Sequence, residues 1–138
     1  AILLKYREVV SAGPLAPQLV RLSKQLRALE TLLHDPGHTQ FVLVTRAALL
    51  PRAETIRLHA ALAELHIAVG GVIVNAVGAG TCSRCRARTR VQTGEIRRLR
   101  RTLGRKVPYA IIEAPAMMPP PHGARALSAW AATWQRLH

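Results

Sequence analysis

Apolar residues recur along the chain at two spacings, and each spacing predicts a different secondary structure. Steps of three and four residues, which place side chains on one face of a helix, connect Leu15, Leu19, Leu22, Leu26, Leu29 and Leu33. Short, continuously apolar and β-branched runs follow at 41–46 and 70–77, and a third lies at 107–114. Such runs are typical of strands that are buried on both faces of a parallel sheet.

Helical patterns separate the predicted strands. Residues 51–66 are rich in alanine and leucine, with Pro51 where a first helical turn tolerates it. A basic helix is predicted at roughly 83–104, with an apolar stripe at Ile96, Leu99 and Leu103. A last helix would carry on one face Leu127, Trp130, Trp134 and Leu137. The alternation of strands and helices predicts an α/β fold with a partial, doubly wound parallel sheet, preceded by an amphipathic helix.

The length of the chain limits how much it can bury. Its 138 residues, 49% of them apolar, can form one hydrophobic core but not two. No apolar run approaches the roughly 20 residues of a membrane-spanning helix, and we expect a cytoplasmic protein. Three parallel strands would leave two open edges, which proteins normally cover, and the sequence starts at Ala1 within an apolar pattern. We therefore expect it to be a fragment of a longer chain.

The two cysteines of the chain, Cys82 and Cys85, are three positions apart in the stretch “TCSRCRARTR”. A structural zinc ion takes four tetrahedral ligands, and this spacing supplies two thiolates, but the chain has no second pair. Redox enzymes also place Cys-x-x-Cys at the start of a helix, where neighbouring arginines lower the pKa of a thiol. From the residues alone, a metal half-site, a redox pair and two incidental cysteines all remain open.

Polar and proline-rich residues follow the predicted strands, where open α/β sheets bind their ligands. Asn75 could offer one acceptor and two donors to a purine edge, or it could be an ordinary turn residue. Pro115 and the residues after it could lay backbone and apolar surface along a base. Because the sequence contains neither a Gly-x-x-x-x-Gly-Lys-Ser/Thr loop nor a nucleophile motif, we do not expect this chain alone to be an enzyme.

Positive charge is concentrated in one segment. The formal net charge is +13, and ten of the twenty Lys and Arg residues fall between Arg84 and Lys106, with Glu95 as the acid among them. This density would attract phosphate backbones. The arginines at 84, 86, 88 and 90 nevertheless point around a helix, and the segment has no aromatic residue to stack on a base. We therefore expect a solvated surface and no nucleic-acid binding.

Longer stretches of the sequence resemble a known family. The run “FVLVTRAALLPRAETIRLHAALAELHIAVGGVIVNAV”, followed by “CSRCRAR” and “AIIEAPAMMPPPHGARAL”, is similar to the C-terminal part of the arsenical pump-driving ATPases. The same run resembles their relatives, which target tail-anchored membrane proteins. The most specific pieces are the Glu-Thr pair in “PRAET”, the strand that ends in “VIVN”, and a Cys-x-x-Cys that precedes a basic helix.

The resemblance implies a fold and a division of the chain. Residues 41–138 would be the C-terminal part of an α/β domain of the P-loop NTPase type. Residues 1–40, including “LLKYREVV”, would be the end of a helical subdomain and its return loop. The phosphate loop and the magnesium ligands would belong to an N-terminal part outside this sequence, so that hydrolysis of ATP would reside in the intact parent.

The resemblance also implies roles for particular residues. Asn75 matches an asparagine that contacts adenine, and the family's adenine loop falls at Pro115, Ala116 and Met117. Cys82 and Cys85 match a pair that binds one zinc ion together with its symmetry mate in a homodimer. The implied partners are a membrane transporter or a hydrophobic client helix, between which the sequence does not choose. The alternative function is a non-catalytic basic module that uses its cysteines for zinc or redox sensing and binds nucleic acid or a protein.

Overall fold

The computed structural model describes residues 15–78, 80–104 and 110–137. In chain order these residues form α1 (Leu15–His34), β1 (Phe41–Arg46), α2 (Leu49–Glu64), β2 (Val69–Val77), α3 (Ser83–Leu103), β3 (Ile111–Pro115), α4 (Gly123–Ala131) and β4 (Gln135–Leu137). They belong to two compact units, with the boundary between Thr39 and Gln40. The stretch “LLKYREVV” and residues 107–109 of the third predicted strand lie outside the described residues.

Helix α1 makes up most of the described part of the first unit. It occupies the segment in which the leucine spacing predicts a helix, and none of its residues is buried. The turn after it is closed by Asp35, whose Oδ1 accepts the Gly37 N–H at 2.8 Å and whose Oδ2 lies 2.8 Å from Nδ1 of His38. Pro36 removes a backbone donor just beyond the helix, so the chain leaves the helical path here.

The second unit is an α/β structure built on a mostly parallel sheet of four strands, as the alternating pattern predicts in its main features. The strand order is β1-β2-β3-β4; the first three strands run parallel, and β4 pairs antiparallel with β3. The predicted strands at 41–46 and 70–77 correspond to β1 and β2, but the prediction of burial on both faces is wrong for β1, in which Val42 and Val44 are exposed. In register, Leu43 lies beside Val72 and Thr45 beside Val74, and these four side chains are buried on one face.

Helices α2 and α3 pack on that same face of the sheet. Two successive right-handed crossovers that step in the same direction place their helices on the same side. The core accordingly joins residues of the strands to Leu62 of α2 and to the α3 residues Ile96, Leu99 and Leu103. Leu99 and Leu103 are 2% and 1% exposed, and each contributes about 2 to 3 kcal/mol by leaving water. The helices α2 and α3 thus cover one face, and not both faces as in a doubly wound sheet.

The prediction of a last helix that extends through Trp134 to Leu137 is wrong. Helix α4 ends at Ala131, and β4 then pairs with β3, with Leu137 opposite Ile111. The step of four residues between Trp130 and Trp134 reflects a turn, in which the two rings pack edge to face with centroids 5.0 Å apart. Pairing with β3 satisfies backbone groups that an open edge would leave to water, and this tertiary contact overrides the local helical spacing.

Candidate functional site

Asn75 lies inside β2, two residues before the strand ends. It is half-buried, it is opposite Arg46 of β1 in register, and it lines a cavity of about 630 Å³ that runs along β1 and the first turns of α2. Among the other residues of this cavity are Thr45, Glu54 and Thr55. The buried Thr45 hydroxyl has no hydrogen-bond partner among the described residues. Since the Thr45 oxygen is enclosed, the cavity offers a ligand the amide of Asn75 and the carboxylate of Glu54.

The segment after β3 is tied to the end of β2 by backbone contacts. Ala76 adopts a left-handed conformation with φ of 56°, and the register shifts between Val74 and Val77. Val77 then pairs with Pro115, and its carbonyl accepts the Ala116 N–H at 2.9 Å. A left-handed residue costs roughly 1 kcal/mol or more outside glycine, so these contacts hold a strained strand end in place.

The residues predicted to contact adenine lie on neighbouring strands but do not surround one cavity. Asn75 faces the cavity along β1, whereas Pro115, Ala116 and Met117 are not among the residues that line it. Met117 is 41% exposed, so its side chain is available to a ligand that approaches from the β3 side. The structure therefore brings the four residues to one edge of the sheet without forming a single closed pocket from them.

Trp130 also lies at this edge, whereas the sequence pattern predicts only that it faces one side of a helix. Its indole N–H donates to the Pro115 carbonyl at 2.9 Å, which fixes the start of the proline-rich loop. Trp134 packs against it at an interplanar angle of 84°. The sequence signal for this contact is a tryptophan soon after a proline-rich loop, because a half-buried indole N–H generally finds an acceptor such as the Pro115 carbonyl.

Cys82 and Cys85 begin helix α3 and touch each other. Cys82 is the N-cap residue, and its sulfur accepts the Cys85 backbone N–H at 3.1 Å. The first turn of α3 contains no acidic residue that would compete with the Cys82 sulfur for the positive end of the helix. Hydrogen bonds from the thiol and the backbone N–H of Cys85 lower the pKa of Cys82, and the same thiol bond, with desolvation, raises the pKa of Cys85.

Two side chains of α3 bond the segment before Cys82, and the lack of a side chain at Gly80 lets it lie close to Cys85. Gln92, which is 7% exposed, accepts the Gly78 N–H at 3.0 Å, and the Thr89 hydroxyl donates to the Gly78 carbonyl at 3.2 Å. A Cβ at Gly80 would lie 2.7 Å from the Cys85 sulfur, so only glycine lets the loop approach the thiol this closely. Spacing in the sequence gives no sign of the roles of Gln92 and Thr89, since both contacts span more than ten residues.

The thiol pair fits half of a zinc site. Both cysteines are free, and Cys82 is exposed, so a metal and a second pair of ligands could reach them. Within the described ranges, no group of three or more His, Cys, Asp or Glu residues could hold a metal ion. Two thiolates supply half of the four ligands that a structural zinc ion requires, and a second copy of the chain could supply the rest.

An ion-pair cluster joins α2 to α3 behind this edge. The Glu95 carboxylate, 6% exposed, accepts from Arg52 Nε at 2.7 Å and also pairs with Arg98. The Arg52 contact lowers the pKa of Glu95, burial opposes this, and Arg98 lowers it further. Because a carboxylate with two guanidinium partners is already neutralised, this cluster is a structural ion pair between α2 and α3 and not a free acid or base.

Comparison with known proteins adds one finding. A family model described as anion-transporting ATPase matches residues 5–133. No curated protein matches the chain. None of the helices in the described part of the chain has both the length and the apolar character needed to cross a bilayer.

Proposed function

Because the chain belongs to the anion-transporting ATPase family, we propose that it is the C-terminal part of such an ATPase and supplies the adenine side of the nucleotide pocket. The observation that carries this proposal is the extent of the match, which takes in residues 5–133 of 138. The domain from residue 41 onward would then be part of a P-loop NTPase fold, and residues 1–40 would be the end of a helical subdomain. A parent ATPase would couple hydrolysis to the movement of an anion or of a hydrophobic client.

The base of the nucleotide would be held by residues of this chain. Asn75 can donate its amide N–H groups to a ring nitrogen and accept from the exocyclic amine of adenine. Pro115 and Ala116, fixed by Val77 and Trp130, would present backbone, and Met117 apolar surface. Bound ATP with Mg²⁺ would supply the phosphoryl group that is hydrolysed, but this sequence has no phosphate loop. We therefore expect no turnover of ATP by this chain alone.

The two cysteines would form half of a zinc site shared between two copies of the chain. The arrangement at the start of α3 supports this proposal, because Cys82 is exposed, has a lowered pKa and accepts a hydrogen bond from the Cys85 backbone N–H. Two-fold symmetry would bring four thiolates to one axis. Since free cysteines persist in a reducing compartment, we place this dimer in the cytoplasm.

Tryptophan fluorescence can test the proposed base site, since the indole of Trp130 is bonded to the Pro115 carbonyl. Adenosine and ATP should both change the emission and should bind with similar affinities, because this chain would contact the base and not the phosphates. Asn75→Asp removes both amide donors and should weaken adenosine binding about tenfold. Saturable binding of guanosine as tight as that of adenosine, or binding of adenosine that Asn75→Asp leaves unchanged, would contradict the proposal.

A further inference from the structure

The outer surface of α3 carries a row of arginines that the proposed function does not use. Arg86, Arg90, Arg97 and Arg101 follow one another in steps of four, seven and four residues, and each is exposed. At about 100° per residue these positions fall within roughly 60° of arc, nearly opposite the buried side of the helix. At about 1.5 Å per residue the row is about 22 Å long. We call these four residues the arginine row.

Over its full length, α3 aligns arginines in a way that its first turns alone do not show. The expectation of no nucleic-acid binding rested on the arginines at 84, 86, 88 and 90, which point around the helix. Arg97 and Arg101 lie in the second half of α3 and extend the line begun by Arg86 and Arg90. An extended line of one sign, and not a scattered charge, therefore faces outward.

The charge of the arginine row is not compensated by the described residues around it. Glu95, the acidic residue of α3, is buried and already paired with Arg52 and Arg98. No ion pair in the described part of the chain includes Arg90, Arg97 or Arg101. These guanidinium groups are free to form bidentate contacts with anionic oxygens, for which their planar shape is suited.

We infer that the arginine row is a docking surface for duplex DNA, bound through its phosphates and without readout of sequence. Duplex DNA carries about one negative charge per 1.7 Å of its axis, counted over both strands, so phosphates are available along the whole length of the row. This inference does not depend on the proposed nucleotide or zinc site.

Other anionic partners fit this face less well. A membrane-binding helix inserts an apolar side, but the apolar side of α3, with Ile96 and Leu99, is in the core. Single-stranded nucleic acid needs aromatic platforms, and α3 has none. An acidic protein would need an apolar anchor at the centre of the interface, whereas Thr93 and Gly94 lie there and the exposed Val91 is about 110° around the helix from the row.

The test measures how salt weakens the binding of the full chain to a fluorescent DNA duplex of about 20 base pairs. Variant A replaces Arg90, Arg97 and Arg101 with Gln, and leaves Arg86 in place because its guanidinium donates to the Thr81 carbonyl of the cysteine loop. The matched control, variant B, removes the same charge from α1 by replacing Arg21, Lys24 and Arg27 with Gln. Variant C replaces the three row arginines with Lys, which keeps the charge. Circular dichroism confirms that each variant is folded.

The expected result is a change in slope confined to one variant. Each phosphate contact contributes about 0.9 to the slope of log K against log salt, so variant A should flatten the slope by about 2.7. Variants B and C should stay within about 1 of the wild-type slope. Equal losses in A and B would show diffuse charge and overturn the inference. So would tighter binding to anionic lipid vesicles, to polyglutamate or to a single strand than to the duplex.

Discussion

Replacement of Gln92 by Met should loosen the connection between α3 and the end of β2. Gln92 is 7% exposed, and its side-chain oxygen accepts the Gly78 N–H at 3.0 Å. Methionine has nearly the same volume and helix propensity, so the substitution removes the acceptor with little change in packing. The Gly78 N–H would then be left without its partner in a half-buried position.

The magnitude follows from the burial of this pair. A buried donor that loses its acceptor costs about 1 to 3 kcal/mol. Because Gly78 is partly exposed, we expect a cost in the lower part of this range, about 1 to 2 kcal/mol. In a unit of roughly 100 residues, 1 kcal/mol lowers the melting temperature by about 4 to 8 °C. We therefore expect Gln92→Met to lower the melting temperature by about 4 to 16 °C.

Thermal unfolding followed by circular dichroism measures this loss. Thr93→Val, on the exposed side of the same turn, is the control and should change stability by less than about 0.5 kcal/mol. Hydrogen exchange at the Gly78 amide should accelerate in Gln92→Met and stay unchanged in the control. A Gln92→Met protein that melts within about 2 °C of wild type, with a protected Gly78 amide, would refute the reasoning.

Three further substitutions, one of them paired with a control, test separate parts of the structure. The melting temperature of Glu95→Gln should fall less steeply than that of wild type as the pH drops below the usual carboxyl pKa of 4.5, because a lowered pKa gives stability that is lost as pH falls. Parallel pH profiles of the two proteins would be inconsistent with the ion pair. Gly80→Ala should displace the Cys85 sulfur and reduce zinc uptake. The control Gly94→Ala, with open space around it, should raise stability by about 0.5 to 1 kcal/mol. Equal zinc content in both proteins would argue against the close approach of Gly80 to the Cys85 sulfur. Trp130→Phe should cost about 0.5 to 1.5 kcal/mol in unfolding and weaken adenosine binding, while an unchanged affinity would separate this indole from the base site.

Local patterns were sufficient to predict the parallel part of the fold. Strands β1 and β2 occur where apolar, β-branched runs predict them, and the spacing of Ile96, Leu99 and Leu103 indicated which side of α3 faces the core. The C-terminal strand β4 could not be predicted in this way, because three residues have little strand preference until an open edge is beside them. Local periodicity favoured a helix at this point, and the pairing with β3 decided otherwise.

The candidate site was predictable in its residue types but not in its supports. Cys82 and Cys85 are recognisable from their spacing, and the structure places both at the start of a helix. The contacts of Gln92 with Gly78 and of Trp130 with Pro115 join residues 14 and 15 positions apart, and no local spacing encodes them. Likewise, the separation of Asn75 from Pro115 depends on which strands become neighbours, and that is a property of the whole sheet.

Zinc content and native mass, measured together on the purified chain, test the proposed shared site most directly. We expect a dimer that holds one zinc ion, which is half an ion per chain, and Cys82→Ser should lose both the metal and the dimer. The matched control is Ser83→Ala, which changes the neighbouring residue but no thiol. A metal-free monomer in which both thiols react freely would contradict the shared zinc site, as would a Cys82→Ser protein with its full metal content.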